Sequence, residues 1–501
     1  MGLRINTNIS ALDALRNLGL ADNAQAKSIQ RLSTGLRINT AADDPSGLVI
    51  SEILRGQIAS LNQAVLNSQS ASNLVGTADA ALAEVSNLLT GIRSSAMLAL
   101  NTGGASPDQI AAEQDAVDSA IASINRIAAT TRFGSTNLLN GSSGFNVTSK
   151  STEITDLRFR SIAFDDQNSI TTQIDIMKKA ERARIDFQLA SGVASGDQVI
   201  RVSGNLGTQE IFISSGMNTQ DIVGMINAVR GTTGLFAVLS TGTMGTPNAS
   251  DVVAIQTDEY GSAQKVSLEV VSGDDVKAAL DSGAPAAVSA GGKLIASGVD
   301  IGVNIAGAYV STNGNNITVN SPFLNADIKI ADGTDVSDSP LLFTVAKSGL
   351  DFQLNIEPLE TDKMTVGLPN ISANYLGTPL RTLGSGSAEK DVGGFLNSLI
   401  SGGPNDLATD PQNAVYIVDA AVDEVNSLRG YLGAFASQTL DSNINSLGVA
   451  VENLTASESQ IRDLDFAAEV ANYTRAQVLF LAGISVLASA NQIPQSVLKL
   501  L

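Results

Sequence analysis

Apolar and polar positions alternate along this chain in two regimes, helical at both ends and strand-like between. In the first 44 residues Ile5, Ile9 and Leu12 follow helical spacing, as do Ile29, Leu32 and Leu36, among polar stretches rich in Asn, Ser and Thr. Helices this marginal need a partner to be stable in water. Asp44-Pro45 is a stronger start, because aspartate caps free backbone N–H groups and proline fits the first helical turn. From Leu74 the pattern becomes nearly strict: Leu74, Ala78, Ala81, Val85, Leu88, Ile92, Ser95 and Ala99 step by four and three, as a coiled-coil seam does. After Thr102-Gly103-Gly104, the run Ser106-Pro107-Asp108-Gln109 carries a capping box. Ile110, Gln114, Val117, Ile121, Ile124 and Ala128 then repeat the stepping, so the two helices are expected to form an antiparallel hairpin.

From about Phe133 to Asp410 the character changes. Gly, Ser and Thr rise, and short β-branched runs appear at Val199 to Val202, Ile211 to Ile213, Phe236 to Leu239, Lys265 to Val271 and Ile317 to Val319. Asn313-Gly314 is a hairpin turn signal, and one helix, Asp221 to Arg230, interrupts the strands. The middle therefore reads as one or two β-rich domains. Helical order returns at Asp410-Pro411, with Leu440, Ile444, Leu447, Val451 and Leu454 as another seam. A last helix is expected from about Ser457, apolar nearly all round, with Gly483 and Pro494 as its strong breakers. The fold class that results is α+β multidomain: terminal helices paired in coiled-coil and bundle domains, with a β-rich central domain inserted between them.

Composition narrows the function. A chain of 501 residues is too long for one core, and no aromatic residue occurs before Phe133, so the early cores must be aliphatic. Thirty Lys and Arg against 50 Asp and Glu leave a net charge of -20, which repels nucleic acid phosphates and anionic lipid. Cysteine, histidine and tryptophan are absent, which removes disulfides, thiolate nucleophiles, imidazole bases and Cys/His metal sites. No lysine lies between Ser28 and Ser149 or between Asp391 and Leu498, and arginine suits packed interfaces better. The N-terminal run lacks the pattern of a cleavable signal peptide. Ala476 to Ala488 is apolar but too short to cross a bilayer, which favours a buried packing helix and no membrane insertion.

Candidate chemistry is thin. Asp44 is explained as a cap, and neither Asp43 nor Asp44 has a base or ligand set beside it. Asp332, Asp335 and Asp338 lack calcium-loop spacing, and Glu389 stands where a phosphate loop after Gly384-Ser385-Gly386 would need glycine. No catalytic residue, metal ligand or cofactor is indicated. The apolar stripes of the hairpin helices, Leu74 to Ala129, suit an ordinary intramolecular core as well as an interface, whereas the last helix is apolar on more sides than one small domain can cover, which points to self-assembly.

The terminal residues resemble bacterial flagellin. The carriers are INTNISAL (Ile5 to Leu12), QRLSTGLRINTAADDPSGL (Gln30 to Leu48), ESQIRDLDFAAEVANYTRAQVL (Glu458 to Leu479) and AGISVLASANQIPQSVLKLL (Ala482 to Leu501). The resemblance covers roughly the first 140 and last 95 residues, at the correct ends. It implies five segments: 1–44 and 457–501 as two halves of an inner coiled-coil domain, 45–175 and 400–456 as a helical rod, and 176–399 as a surface domain. Gly207 to Ser240 is similar to a strand-helix-strand unit inserted in many members of the family.

The implied role is a subunit exported uncleaved through the flagellar type III apparatus and polymerised into the extracellular filament, the helical propeller for swimming. Implied partners are further copies of itself, an export chaperone, and the filament cap and hook-filament junction proteins. The inner-domain assembly residues would be Ile5, Ile9, Leu12, Ile29, Leu32, Leu36, Ile461, Leu464, Val470, Val478, Leu481, Ile484 and Leu487. Rod seams would use Leu74, Val85, Leu88, Ile92, Val117, Ile121, Ile124, Leu440, Ile444, Leu447 and Val451.

In many members an arginine and a leucine on the first long helix bind Toll-like receptor five. Here Gly91 and Ser95 stand at those positions, with Arg93 retained, which implies weak recognition. Two other readings share the terminal helices or the display site: a hook-filament junction protein, and a filament-displayed adhesin. A displayed zinc protease would need HExxH, which a chain without histidine cannot supply. The outermost segments are expected to find no sufficient partner within one chain, and to order only on assembly.

Overall fold

Long helices begin where the sequence supplies a cap. The structure, a computed structural model, describes residues 8–101, 103–162, 164, 169–188, 193–240, 252–273, 276–280, 286–321, 324–357, 363–383 and 390–498. Helix α1 (Ile9–Thr34) follows Asn8, whose side-chain oxygen accepts from the Ala11 amide at 3.1 Å. It ends at Gly35, where a φ of 73° lets the N–H reach Arg31 O. Helix α2 (Pro45–Ala99) starts beside Asp44, which accepts from Gly47 N at 2.8 Å. Helix α3 (Pro107–Thr130) has the expected capping box between Ser106 and Gln109. Caps of this kind contribute about 1 kcal/mol each.

Two compact units result. One is Met1–Gln69 with Leu354–Glu357 and Asp441–Leu501, and the other is Ser70–Gln353 with Pro358–Leu440.

The strands of the second unit are antiparallel and build two separate cores. The first draws on a six-stranded sheet (309–313, 316–320, 324–330, 154–162, 363–366, 350–353) and a four-stranded sheet (302–304, 169–178, 341–346, 146–150), filled by Ile174, Ile317, Ile328 and Phe343 among others. The second draws on a five-stranded sheet (286–288, 276–280, 182–188, 252–260, 235–240), a four-stranded sheet (293–297, 265–272, 198–203, 208–213) and helix α4 (Thr219–Ala228). The chain enters and leaves this second core at one point, where Glu181 and Val299 exchange both backbone hydrogen bonds at 2.9 and 2.8 Å.

Asn218 caps α4, so the helix starts two residues before Asp221 and ends at Ala228; a short α5 (Arg230–Thr233) follows. The strands flanking them, 208–213 and 235–240, lie in different sheets, so the strand-helix-strand unit wraps the core. The hairpin at 313 is displaced by one residue. Asn313 pairs with Asn316, leaving Gly314-Asn315 as the loop, with Gly314 at φ 60°.

Helix α6 (Pro411–Ala434) is capped by Asp410 through Asn413 N at 3.0 Å. A π-wound stretch, Phe435–Asp441, leads into α7 (Ser442–Arg462), and α8 (Phe466–Leu498) is the last helix. The reading of a last helix from Ser457, broken at Gly483 and Pro494, is corrected on each point. Helix α7 runs through Ser457, and the chain turns at 463–465, where Asp465 accepts from Ala468 N at 3.1 Å.

Gly483 does not break α8, because one glycine inside a helix costs only about 1 kcal/mol, and its small size suits the close approach of Leu18, whose methyl an added Cβ would meet at 3.2 Å. Pro494 lacks the N–H that would serve Ala490 O four residues back, and the Asn8 side-chain amide donates to that oxygen instead, at 2.8 Å.

Candidate assembly surface

Helices α1 and α8 pair antiparallel. Asn8 meets Ala490 at one end, the Ser28 hydroxyl donates to Glu469 Oε1 at 2.5 Å further along, and Leu36 bridges Asp463 at the other end. Two backbone bonds close that end, Arg37 N to Arg462 O at 2.7 Å and Leu464 N to Gly35 O at 3.0 Å. Beyond it Lys27 pairs with Asp43 at 2.7 Å. Together with the Thr40 amide, Lys27 holds the Asp43 carboxyl far below the usual carboxylate range.

The buried line between the helices is not the one apolar patterning selects. It consists of Ala14, Ala21 and Ser28 on α1, and of Glu469, Ala476 and Ala490 on α8, with Gly483 half-buried between the last two. Both lines repeat every seven residues. Small side chains let two helix backbones approach closely, and the large residues are turned outward. Leu12 is 60% exposed, Val478 59% and Leu481 61%; Ile9, Leu15, Leu20, Ile29, Val470 and Ile484 are exposed too. Leu32, Leu36, Ile461, Leu464 and Leu487 are partly covered, and Ile5 lies outside the described residues.

Partnering between these ends within one chain is therefore confined to one side. They satisfy each other along the small seam and remain bare on the outer face. Ala476 to Ala488 alone is too short to span a bilayer, yet with its flanks α8 is long and apolar enough to do so by length and composition over Phe466–Gln492. Its inward face carries a buried carboxylate bonded to α1.

The other seams serve as cores. In the first unit Leu61 and Ala64 of α2 pack on Leu447, with Val451 and Leu454 partly buried against them and Ile444 partly covered nearby along α7. Ser51 donates to Glu458 at 3.0 Å, and Arg462 reaches Glu52 at 2.8 Å. In the second unit Leu74, Val85, Ile92, Val117, Ile121, Ile124 and Leu440 are buried. Leu88 is only half-buried: the buried line runs Ala78, Leu82, Val85, Leu89, Ile92, Ala96, so it takes the next residue at three turns while keeping four-three steps.

Ion pairs Asp79–Arg429 and Arg93–Asp419 run α6 antiparallel to α2. Ser95 is buried and donates to Glu113 of α3, whereas Gly91 faces open space. Two buried amides missed as anchors tie loops to these helices. Gln114 donates to Leu399 O at 2.7 Å and accepts from Leu407 N at 2.9 Å; Asn413 bonds both backbone groups of Gly393.

A cavity of about 920 Å³ lies beside α6 in the second unit. Its walls include Asp156, Arg158, Arg160 and Asp327 from one sheet face, and Glu424 and Tyr431 from the helix. Arg158 is 3.4 Å from Glu424, and Gly377 N donates to the same carboxylate at 3.3 Å. Burial nevertheless pushes Glu424 up to about 7, with Arg158 opposing the shift. Of the loose aspartate group, Asp335 caps the turn 336–338, Asp338 accepts from Asp335 N, and Asp332 accepts from Asn315. The stretch Gly384 to Glu389 lies outside the described residues.

Residues 5–144 match the bacterial flagellin N-terminal helical region, and residues 415–501 match the bacterial flagellin C-terminal helical region. The chain is 30% identical over 558 aligned residues to the B-type flagellin of Pseudomonas aeruginosa, covering 100% of both. It is 29% identical over 533 residues to the flagellin of Salmonella choleraesuis, covering 99% of each. The solved structure of FliC from Burkholderia pseudomallei aligns with 74% of this chain and 99% of its own, at 13% identity and a TM-score of 0.25. The chain belongs to the bacterial flagellin family, whose members are structural subunits of the extracellular flagellar filament.

Proposed function

We propose that this chain is exported uncleaved through the flagellar type III apparatus and polymerises at the filament tip beneath a cap protein, giving a propeller for swimming. The observation that carries the reading is the outward row of large apolar side chains on α1 and α8, Leu12, Val478 and Leu481 among them. Covering what is still exposed of one such side chain is favourable by about 1–2 kcal/mol, so many in line favour packing against further copies. An export chaperone would shield the same row before assembly. In this reading α8 packs on protein and is not a membrane span, and the chain has no catalytic function.

The division we propose gives 1–44 and 457–501 to the inner coiled coil, 45–175 and 400–456 to the rod, and 176–399 to the surface. Purified chain added to filament fragments should elongate them, seen by electron microscopy. Seeds that fail to grow under conditions where a flagellin control elongates would refute the reading.

Recognition by Toll-like receptor five should be weak, because Ser95 is turned inward to Glu113 and Arg93 is paired with Asp419. Strong signalling by purified monomer at low concentration would sink that part.

A further inference from the structure

Helix α8 is apolar on nearly every side, so the hydrophobic effect by itself does not choose which face it turns to α1. The small seam does not choose alone either. Ala14 and Ala21 on α1, and Ala476, Gly483 and Ala490 on α8, are close in size, and a shift of one seven-residue repeat places small against small again. The Asn8 amide on Ala490 O reads the register at the far end, and inside the seam one buried layer breaks the degeneracy. Glu469 is 5% exposed, its Oε1 accepts from the Ser28 hydroxyl at 2.5 Å, and Arg31 stands 3.7 Å from Oε2. In another rotation the carboxylate would be exposed while a large apolar side chain took its place, and a slip of one repeat toward Ala21 would bury it away from Ser28 and Arg31. An unpaired buried carboxylate is strongly unfavourable.

We infer that Glu469 is a positioning residue that fixes the rotation of α8 on α1, and so determines which apolar face is presented for polymerisation. The backbone bonds that join Gly35, Leu36 and Arg37 to the turn before α8 set where that helix begins along α1 but read no side chain, so they leave its rotation open. Within an assembly of identical helices, the Ser28–Arg31 pair also marks the proper α1 partner for this face. A single polar group specifying register inside an apolar seam is a known use of such residues. The inference rests on the filament reading for its consequence and on the α1–α8 geometry for its cause.

The absence of cysteine makes the test direct. Ala21→Cys would be combined either with Ala476→Cys, one repeat from the Ser28–Glu469 bond on each helix, or with Val478→Cys, about 200° further round α8. Full-length proteins are assembled and oxidised, and intrachain cross-links are counted, with mixed single-cysteine proteins as the interchain control. With Glu469 present the first pair should close at least tenfold more than the second. Glu469→Ala should reduce that preference to within about threefold, and Glu469→Gln, which keeps an acceptor for Ser28, should restore most of it. If Glu469→Ala does not assemble, Ser28→Ala is read with the same pairs, and a lowered preference supports the inference. Unchanged preference in either variant overturns it. Failure of the parent double-cysteine protein to polymerise would count against the filament reading, and the preference would then be scored on the unassembled chain.

Discussion

Glu424 shows how a single side chain couples this fold to pH. Its folded value of about 7 is above the ordinary 4.5, because burial outweighs the attraction of Arg158. A carboxyl raised in the folded state contributes its full stability below the unfolded value, and loses it as pH rises through the folded one. Between pH 4.5 and about 7 the loss approaches roughly 3 kcal/mol. Glu424→Gln should therefore be nearly neutral at pH 5 and stabilising by about 1–3 kcal/mol at pH 8. Urea melts of the full chain at the two pH values check this; equal effects at both would remove Glu424 as the source. Asp43 has the opposite sign. Its depressed value adds stability above the usual aspartate range that disappears on acidification, as the pairing with Lys27 requires. Neither effect is legible in sequence. Glu424 looks like one more polar residue on an amphipathic helix until the strand bearing Arg158 is placed beside it.

At the scale of elements, α1 and α8 divide their labour by face. Ala21→Leu would overpack the seam, where extra methylenes cost about 1–3 kcal/mol, and should separate the helices; hydrogen exchange across 9–34 would rise. Leu12→Ala removes a side chain already 60% exposed and should leave exchange in the dilute chain unchanged. It should raise the concentration needed for polymerisation, as sedimentation would read. The reverse outcome, a weakened helix pair and normal polymer, would reverse the assignment of the two faces. The caps at Asp44, Ser106 and Asp410 are legible in sequence because capping is local chemistry between residues three apart. The four-three stepping of α3 is equally legible, and its residues are buried from Gln114 to Ala128. The α1–α8 seam is not. Pattern reading ranks positions by size, whereas closely approaching backbones select Ala, Ser and Gly. Gly483 and Pro494 mislead for the same reason, since partners on α1 compensate each.

At the scale of the molecule, the second β core behaves as an insertion, because its entry and exit, Glu181 and Val299, are already hydrogen-bonded to each other. Deleting 182–298 and joining Glu181 to Val299 through a short glycine linker should leave the first β core and the helices folded, and should leave polymerisation intact. Negative-stain images of thinner filaments would show it; an unfolded or monomeric product would make that core structural. The β-rich middle is legible from its Gly, Ser and Thr content and its short β-branched runs. Its division into two cores is not, since sheet order depends on pairings such as 154–162 with 324–330 that no local pattern announces. The bond from Asn8 to Ala490 also has a consequence in time. The two residues are 482 apart, so α1 emerges in synthesis long before the helix that completes it. At ~5–20 residues per second, α1 remains without its partner for roughly 25–100 s. Through all of that interval α1 is open to any other molecule that recognises a lone amphipathic helix.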